Sequence, residues 1–419
     1  MVDIVLLFLL VLEWITIYIL NGRTLFSPSL ISCSMFLLTT TVFILSNNYF
    51  VYDIHYKTII IIILSIFSIL LGELYSNILF SKVSYSYISS IKSTAKQITI
   101  PNRWIFIILI YIIVSGIIYF RDVYRFSLKV GNIPGNYFMM AMFVRESHEY
   151  EKNIVISQMT LLSECLVYLM IYCFCYNSAI VKVKSWKYLL PVAAYSIQVF
   201  ASDNRTDFLR TIIIVCIIFF VFEKVRTDWE PGNNKKIIMT SIIALLIFLF
   251  IFRLLGYRTG TSIRNPLREN LAEYLSASIV GLDTYLIQGE PRNILFGQGI
   301  FKGIYSILRQ WGFNIPEIQK FESFYNYAGG TSNTYTALKA YIKDFAVFGE
   351  MLCMFLWGLV INYSINRVKR GSYSFIRVGM LGIMFYPIIM VSIEDVTATV
   401  LSMSTLYMMF YFWILKIFL

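Results

Sequence analysis

The stretch "ASDNRTDFLRTIIIVCIIFFVF" (Ala201–Phe222) decides the fold class of this chain. It places two aspartates and two arginines around the start of an apolar run that continues without a further charge to Phe222. Similar runs recur along all 419 residues, of which 58% are hydrophobic and only 14% are charged, a composition more apolar than a soluble core requires. Because lipid offers bare backbone groups no hydrogen-bond partner, each run is expected to be a membrane-spanning helix.

The lengths of these runs predict an all-α, polytopic integral membrane protein with about eleven transmembrane helices. The runs fall at residues 2–20, 29–46, 58–80, 103–120, 154–180, 186–200, 208–222, 236–255, 336–363, 374–391 and 396–418. The runs at 186–200 and 208–222 are short, so they could instead form one re-entrant hairpin. The sequence has no internal repeat and no flexible linker, which favours a single membrane domain over residues 1–419.

Basic residues indicate the orientation of the chain, because cytoplasmic connections of membrane proteins carry an excess of lysine and arginine. Alternate connections are basic here, at Arg23; at Lys82, Lys92, Lys96 and Arg103; at Lys182, Lys184 and Lys187; at Lys224, Arg226, Lys235 and Lys236; and at Arg367, Lys369, Arg370 and Arg377. An external N-terminus and a cytoplasmic C-terminus are therefore expected, with Glu394 and Asp395 on the outer side. The net charge of +11 reflects this topology, so no nucleic-acid partner is expected.

Two external segments, residues 121–153 and 256–335, are too long to be simple connections. The second is predicted to carry the active site, because long ordered loops are usually functional. Apolar residues recur at helical spacing in its stretches 271–288 and 299–312. Both stretches are expected to be amphipathic helices that lie along the membrane surface or cap the helix bundle.

Several kinds of chemistry have no support in the sequence. All six cysteines fall inside predicted spans, and only two histidines occur, His55 and His148. Nucleotide-binding and hydrolase motifs are missing, and the first external loop has no Asp-x-Asp pair. The sequence therefore predicts no metal site and no cofactor.

Arginines on the predicted outer face are more numerous than the positive-inside rule would favour. They are Arg205 and Arg210 around the start of one span, and Arg253, Arg258, Arg264 and Arg268 after the next. A guanidinium fork binds phosphate oxygens in pairs, which suits a diphosphate held at the level of the lipid headgroups. The alternative is that these arginines pair with nearby acids on their own helices, Asp203, Asp207, Glu269 and Glu273.

The segment "YNYAGGTSNTYTALKAYIKDFAVFGEMLCMFLWGLV" (Tyr325–Val360) follows the large loop. It resembles the oligosaccharide repeat-unit polymerases, the O-antigen polymerase family, in which Thr-x-Asn-x-Tyr and Tyr-x-x-Asp-Phe open the helix after that loop. The matching residues are Thr331, Asn333, Tyr335, Tyr341, Asp344, Phe345 and Gly349. The family often has glycine after Asp-Phe, where this chain has Ala346. Arg292 and Gly303 also fit the family's Arg, ten residues, Gly pattern, a spacing that arises by chance as well.

The resemblance implies a bacterial cytoplasmic membrane enzyme that transfers a growing glycan from polyprenyl diphosphate to a lipid-linked repeat unit, without a metal. Its partners would be polyprenyl-diphosphate-linked oligosaccharides, membrane lipid and a chain-length regulator. Asp344 is the expected base, with Glu273 and Glu322 behind it, unless it forms an ion pair with Lys339. Diphosphate binding is assigned to Arg205, Arg258 and Arg264. Substrate contacts are expected from Arg210, Arg268, Arg292, Thr331, Asn333, Tyr335, Tyr341, Tyr325 and Tyr327.

Three other functions remain open from the sequence. A lipid-linked oligosaccharide flippase would share the hydrophobicity, but internal repeats and short loops would be expected. An O-antigen ligase would be expected to use an external histidine as base, for which His148 is the candidate. A glycan-binding assembly protein would not need the clustered arginines.

Overall fold

A computed structural model gives the fold and describes residues 2–80, 96–130, 144, 153–201, 205–230, 234–258, 267–289, 292–316, 322–371 and 373–419. Their secondary structure is almost entirely helical. The helices are α1 (Val2–Leu20), α2 (Pro28–Leu45), α3 (Asn47–Phe50), α4 (Tyr56–Phe80), α5 (Asn102–Val130), α6 (Ile154–Tyr176), α7 (Leu189–Ala201), α8 (Arg205–Arg226), α9 (Lys235–Arg258), α10 (Leu267–Gln288), α11 (Lys302–Gln310), α12 (Ala337–Lys369), α13 (Phe375–Met390), α14 (Thr397–Val400) and α15 (Met403–Leu415). One antiparallel hairpin pairs β1 (Tyr325–Tyr327) with β2 (Gly330–Ser332).

Within the described residues the predicted spans fall on helices, and the last of them, 396–418, is divided between α14 and α15. Within the described ranges, six helices are long and apolar enough to cross a membrane: Val2–Leu20, Pro28–Leu45, Tyr56–Leu79, Asn102–Lys129, Ile154–Val181 and Ala337–Lys369. Two shorter apolar helices are Phe375–Met390 and Met403–Phe418. Helix α5 continues to Val130, ten residues beyond the predicted end of its span, so the segment 121–153 begins as helix. The all-helical prediction is confirmed, and the chain has the character of a membrane-embedded protein.

The chain forms two compact units, and the single membrane domain stays a prediction. Unit 1 comprises Met1–Ser84, Pro266–Arg367 and Ile383–Leu406. Unit 2 comprises Tyr85–Asn265, Val368–Gly382 and Tyr407–Leu419. Residues 266–335 of the predicted large loop therefore belong to unit 1, together with the motif segment.

Helix α10 is largely buried in unit 1, so of the two placements expected for 271–288, along the membrane surface or capping the helix bundle, the first is wrong. Its residues Ser276, Ser278 and Asp283 are fully buried, as are the apolar residues around them. The Ser276 hydroxyl donates to the carbonyl of Thr39 on α2 (3.0 Å), and Ser278 donates to that of Ser392 (2.6 Å). These long-range partners satisfy the polar groups of α10 and allow the helix to be buried on all sides.

Helix α11 is the surface helix that the sequence predicted over 299–312. Lys302, Ile304 and Arg309 are exposed along it, while Ile300 just before it is buried. The two predicted loop helices therefore both form, but only the second lies on a surface.

Helices α4 and α12 pack closely within unit 1. A Cβ atom at Gly72 would lie 2.1 Å from the Phe355 carbonyl oxygen, and one at Gly358 would lie 2.1 Å from that of Ile69. Only glycine fits at either position, because no neighbouring backbone atom can move away by that amount. This crossing fixes α12, whose N-terminal half carries the residues of the motif.

Candidate functional site

Asp344 holds a loop against the N-terminal half of α12. Its carboxylate accepts hydrogen bonds from the Asn293 side chain (2.6 Å) and from the backbone N–H groups of Gly299 (3.0 Å) and Ile300 (3.0 Å). The backbone N–H of Asn293 donates to the carbonyl of Lys343 at 3.1 Å. Three donor groups therefore bind the Asp344 carboxylate, and its role in this structure is to hold the loop.

Lys339 does not pair with Asp344, which was the alternative expected from the sequence. Its ammonium group is buried, lies 2.9 Å from a carboxylate oxygen of Glu322, and sits 3.2 Å from the centre of the Tyr335 ring. An aromatic face stabilises a desolvated cation. Glu322 is thereby engaged in a salt bridge with a buried lysine.

The hairpin places the motif's aromatic residues on α10. The Tyr325 hydroxyl donates to the carbonyl of Ala277, and the rings of Tyr325 and Tyr335 are 5.1 Å apart. A Cβ at Gly281 would collide with both rings, so this glycine allows the close approach. Tyr327 packs against Phe50 at 5.1 Å between ring centres.

The polar residues of the hairpin segment are more accessible than its tyrosines. Thr331 is exposed and Asn333 is half-buried. Tyr325 and Tyr335 are buried and therefore support the hairpin, whereas Thr331 and Asn333 can reach a ligand.

Tyr341 belongs to a chain of hydrogen bonds that runs from Trp357 to Thr397. The Trp357 indole N–H, which can only donate, lies 2.7 Å from the Tyr341 hydroxyl oxygen, which is 2.8 Å from the Thr397 hydroxyl. Every hydroxyl in the chain is satisfied when Tyr341 donates to Thr397 and the Thr397 hydroxyl donates to Asp395. Thr397 also donates its backbone N–H to the Asp395 carboxylate at 2.9 Å. The chain thus ends on a carboxylate in the turn before α14.

Asp395 and its neighbour Glu394 form an acidic pair in that turn. Both side chains keep partial solvent exposure, although protein surrounds them closely. Burial raises the pKa of Glu394, the adjacent charge of Asp395 raises it further, and Lys302 acts in the opposite direction. Burial also raises the pKa of Asp395 despite its bonds from Thr397. Carboxylates whose pKa is raised by burial and by a neighbouring charge are candidates for a reacting site.

The arginines assigned to diphosphate binding are only partly within the described structure. Helix α8 begins at Arg205 and α9 ends at Arg258, but the side chains of Arg205, Arg258 and Arg268 lie outside the described residues, as does the whole of Arg264. These assignments stay predictions. Arg292 is described, belongs to unit 1 and has an exposed side chain.

Arg210 has a partner that the sequence analysis did not foresee. In unit 2 its guanidinium donates to both oxygens of Glu164, at 3.1 and 2.8 Å, and the Tyr168 hydroxyl donates to the same carboxylate. Glu164 is buried. Arg210 therefore neutralises a buried acid, and its guanidinium is already bonded to both oxygens of Glu164.

Sequence reasoning placed Glu394 and Asp395 on the outer side but did not select them as site residues. The available signal was an acidic dipeptide between two apolar runs, in a turn two residues before Thr397. The acidic dipeptide is linked to Tyr341 through Thr397. The contact between Tyr341 and Thr397 joins residues 56 positions apart in the chain, which no local pattern reveals. Comparison with family models, with curated proteins and with solved structures finds no match to this chain.

Proposed function

We propose that this chain is a membrane enzyme that polymerises polyprenyl-diphosphate-linked oligosaccharides into a surface polysaccharide, an O-antigen or a capsule, by metal-independent glycosyl transfer. In that reaction a hydroxyl oxygen of the acceptor attacks the anomeric carbon of the donor glycan. The bond from that carbon to the diphosphate breaks, and polyprenyl diphosphate leaves with the electron pair. The sugar ring carries positive charge in the transition state.

The observation that carries the proposal is the connection from Tyr341, a residue of the polymerase-like motif, through Thr397 to Asp395. It ties the motif to the acidic pair. Carboxylates with a raised pKa are poorly stabilised by their own surroundings, so they gain most from a positive charge that develops nearby. Glu394 and Asp395 would face the anomeric carbon and stabilise its charge as the diphosphate leaves.

Substrate binding would use the surface around the hairpin. Thr331 and Asn333 offer hydrogen bonds to sugar hydroxyls, and the exposed Arg292 offers a fork for the diphosphate. Asn293, the next residue, is bonded to Lys343 and Asp344, so the backbone that carries Arg292 is fixed to α12. Asp344 then acts as a positioning residue for the diphosphate ligand.

The proposal includes eleven spans in a bacterial cytoplasmic membrane, with the N-terminus, the hairpin and the acidic pair outside and the C-terminus in the cytoplasm. A cysteine introduced at the exposed Asn326 of β1 should react with an impermeant thiol reagent on intact cells. One introduced at the exposed Lys184 should react only after the membrane is opened. The opposite labelling pattern would place the acidic pair on the wrong side of the membrane for polymerisation.

The test of the activity is deletion of the coding sequence in its host, followed by a gel of the surface polysaccharide. A single-repeat product supports a polymerase, and loss of all surface glycan indicates a flippase or a ligase instead. Complementation with Asp395→Asn should leave the single-repeat product. Complementation with Glu230→Gln, which changes an exposed acid of unit 2, should restore the long polymer.

A further inference from the structure

A buried lysine of the motif helix α12 is paired with an acid that lies half in solvent. The Nζ atom of Lys339 is 2.9 Å from the Oε2 atom of Glu322, and it lies 3.2 Å from the centre of the Tyr335 ring and 5.4 Å from that of Tyr285. The Lys339 side chain is 2% exposed, whereas that of Glu322 is 48% exposed. The two partners of this salt bridge therefore differ in how readily they can leave it.

The energetics of the pair are unequal for the same reason. An ammonium group loses its hydration when it is buried, so Lys339 requires an anion next to it, and the aromatic faces offset only part of that loss. A half-exposed carboxylate keeps much of its hydration and gains little from a single ion pair. Glu322 can therefore turn into solvent at small cost, provided that another anion takes its place beside Lys339.

The pair lies at the base of the hairpin whose polar residues are proposed to bind sugar. Tyr335, whose ring contacts Lys339, follows Asn333 by two residues, and its hydroxyl donates to the carbonyl of Ser323 at 3.0 Å. That bond closes the segment that carries β1 and β2, with Glu322 next to the point of closure. An anion that replaced Glu322 would thus lie at the end of the hairpin that carries Asn333.

A second cationic residue lies beside the next turn of α12. Lys343 follows Lys339 by one helical turn, and its carbonyl accepts a hydrogen bond from the backbone N–H of Asn293 at 3.1 Å. Arg292, the residue before Asn293, has an exposed side chain. A buried ammonium group and an exposed guanidinium group thus belong to neighbouring turns of one helix. A diphosphate carries negative charge on both phosphates, which suits cations at two neighbouring positions.

Glu322 is also within electrostatic reach of the acidic pair. Burial is the main cause that raises the pKa of Asp395, and the charge of Glu322 raises it as well. Since Glu322 contacts Lys339, an anion in its place would lie near the carboxylates that are proposed to face the anomeric carbon. The leaving diphosphate is bonded to that carbon, so an anion site is required there.

We infer that Lys339 binds the diphosphate of the lipid-linked glycan and that Glu322 occupies this place until a diphosphate displaces it. The inference rests on the proposed glycosyl transfer, from which the diphosphate ligand follows. As the bond between the anomeric carbon and the diphosphate breaks, the electron pair stays on the diphosphate, and the ammonium group of Lys339 stabilises its negative charge. Glu322 returns to Lys339 when the polyprenyl diphosphate departs, so the buried cation has an anion beside it throughout.

The experiment measures the affinity of the purified protein for farnesyl diphosphate, a soluble prenyl diphosphate, by isothermal titration calorimetry. Lys339→Met removes the ammonium group and should weaken binding by about 10- to 100-fold, the usual size of a hydrogen bond to a charged group. Glu322→Gln removes the competing charge and should bind several-fold more tightly than the wild type. Farnesol, which has no phosphate, should not distinguish the three proteins.

Matched controls come from unit 2. Lys224 is as deeply buried as Lys339 and is bonded to the side chain of Asn234 at 2.8 Å, and Glu230 is an exposed acid. Lys224→Met and Glu230→Gln should bind farnesyl diphosphate as the wild type does. The double variant of Lys339→Met and Glu322→Gln should bind as weakly as Lys339→Met alone, because the carboxylate competes only for that ammonium group.

Glu322→Gln separates a diphosphate site from a merely structural salt bridge. Its side chain is half-exposed, so this variant gives a decisive result even where Lys339→Met fails to fold. Binding by Glu322→Gln that is no tighter than that of the wild type, or wild-type affinity in folded Lys339→Met, would overturn the site while leaving the polymerase intact. A wild-type protein that shows the expected binding pattern but makes no polymer from lipid-linked repeat units would overturn the proposed function and leave the diphosphate site in place.

Discussion

The indole N–H of Trp357 donates to the Tyr341 hydroxyl at 2.7 Å, and Tyr341 in turn is bonded to Thr397, whose backbone N–H donates to Asp395. Tyr341→Phe removes the hydroxyl and leaves the indole N–H of the half-buried Trp357 without its acceptor. The expected cost is about 1–3 kcal/mol of stability. Polymerisation should fall further than this loss explains, because Asp395 loses the orientation that Thr397 gives it. Thermal unfolding and polymer length measured on the same preparation check both effects.

The control is Tyr172→Phe. Tyr172 is a buried tyrosine of unit 2 whose hydroxyl donates to the Tyr373 carbonyl at 2.9 Å. This variant should lose similar stability but keep normal polymer length below its unfolding temperature. If Tyr341→Phe and Tyr172→Phe behave alike in polymerisation, the chain to Asp395 has no functional role.

The acidic pair should show opposite effects on stability and activity. Folding raises the pKa of both Glu394 and Asp395 above the values 4.5 and 3.8 of the unfolded chain, so the folded protein binds these protons more tightly. Their contribution to stability is then favourable at low pH and is lost as the pH rises through the folded pKa. Asp395→Asn keeps an acceptor for Thr397 and removes the buried charge. It should unfold at a higher temperature than the wild type at neutral pH, and yet form no polymer.

The pH dependence of the wild-type rate gives a second test of the pair. The ionised carboxylates stabilise the transition state, so activity should fall as the pH is lowered through their pKa values. Because these pKa values are raised, the fall should occur at a higher pH than the one at which ordinary carboxylates titrate. A rate that falls only where ordinary carboxylates titrate would contradict a role for carboxylates of raised pKa.

Asp344 is expected to behave as an anchor. Asp344→Asn replaces one accepting oxygen by an N–H donor that faces the backbone N–H groups of Gly299 or Ile300, at a cost of about 1–3 kcal/mol for each N–H left without an acceptor. The variant should unfold at a lower temperature and be cleaved faster by protease within residues 292–316. A variant with normal stability and protease resistance that makes no polymer would support the original prediction that Asp344 is the base.

Ala346 is the alanine that replaces the glycine of the resembled family, and its backbone has φ 61° and ψ 177°. Residues other than glycine pay about 1–3 kcal/mol in such regions. Glycine loses more chain entropy on folding than alanine, which offsets part of this gain. Ala346→Gly should therefore raise the free energy of unfolding by about 1 kcal/mol. Ala340→Gly in a regular turn of the same helix should instead lower it by about 0.5–1 kcal/mol. Equal destabilisation by both substitutions, measured by thermal unfolding, would contradict the strained geometry.

The helices could be predicted from the sequence because each apolar run carries its own signal. The motif helix α12 and the spans α1, α2 and α4 match their predicted positions closely, since run length and hydropathy are local properties. The kink at Ala346 also agrees with the place where the resembled family has glycine.

The candidate site depends on contacts that a local pattern cannot contain. The burial of α10 requires partners for Ser276, Ser278 and Asp283, and these come from α2, from the turn after α13 and from the start of α4. The hairpin has strands of only three residues, too short for an alternating pattern. Arg210 was expected to bind substrate, or alternatively to pair with acids of its own helix, but it forms its salt bridge with Glu164 on α6.

The central claim is tested most directly by incubating the purified protein in lipid vesicles with lipid-linked repeat units extracted from the host that lacks the gene. The account predicts a ladder of products that differ by one repeat unit, formed in the presence of a chelator, and no product beyond the starting unit with Asp395→Asn. A wild-type protein that binds these units but leaves every one of them at a single repeat would contradict it.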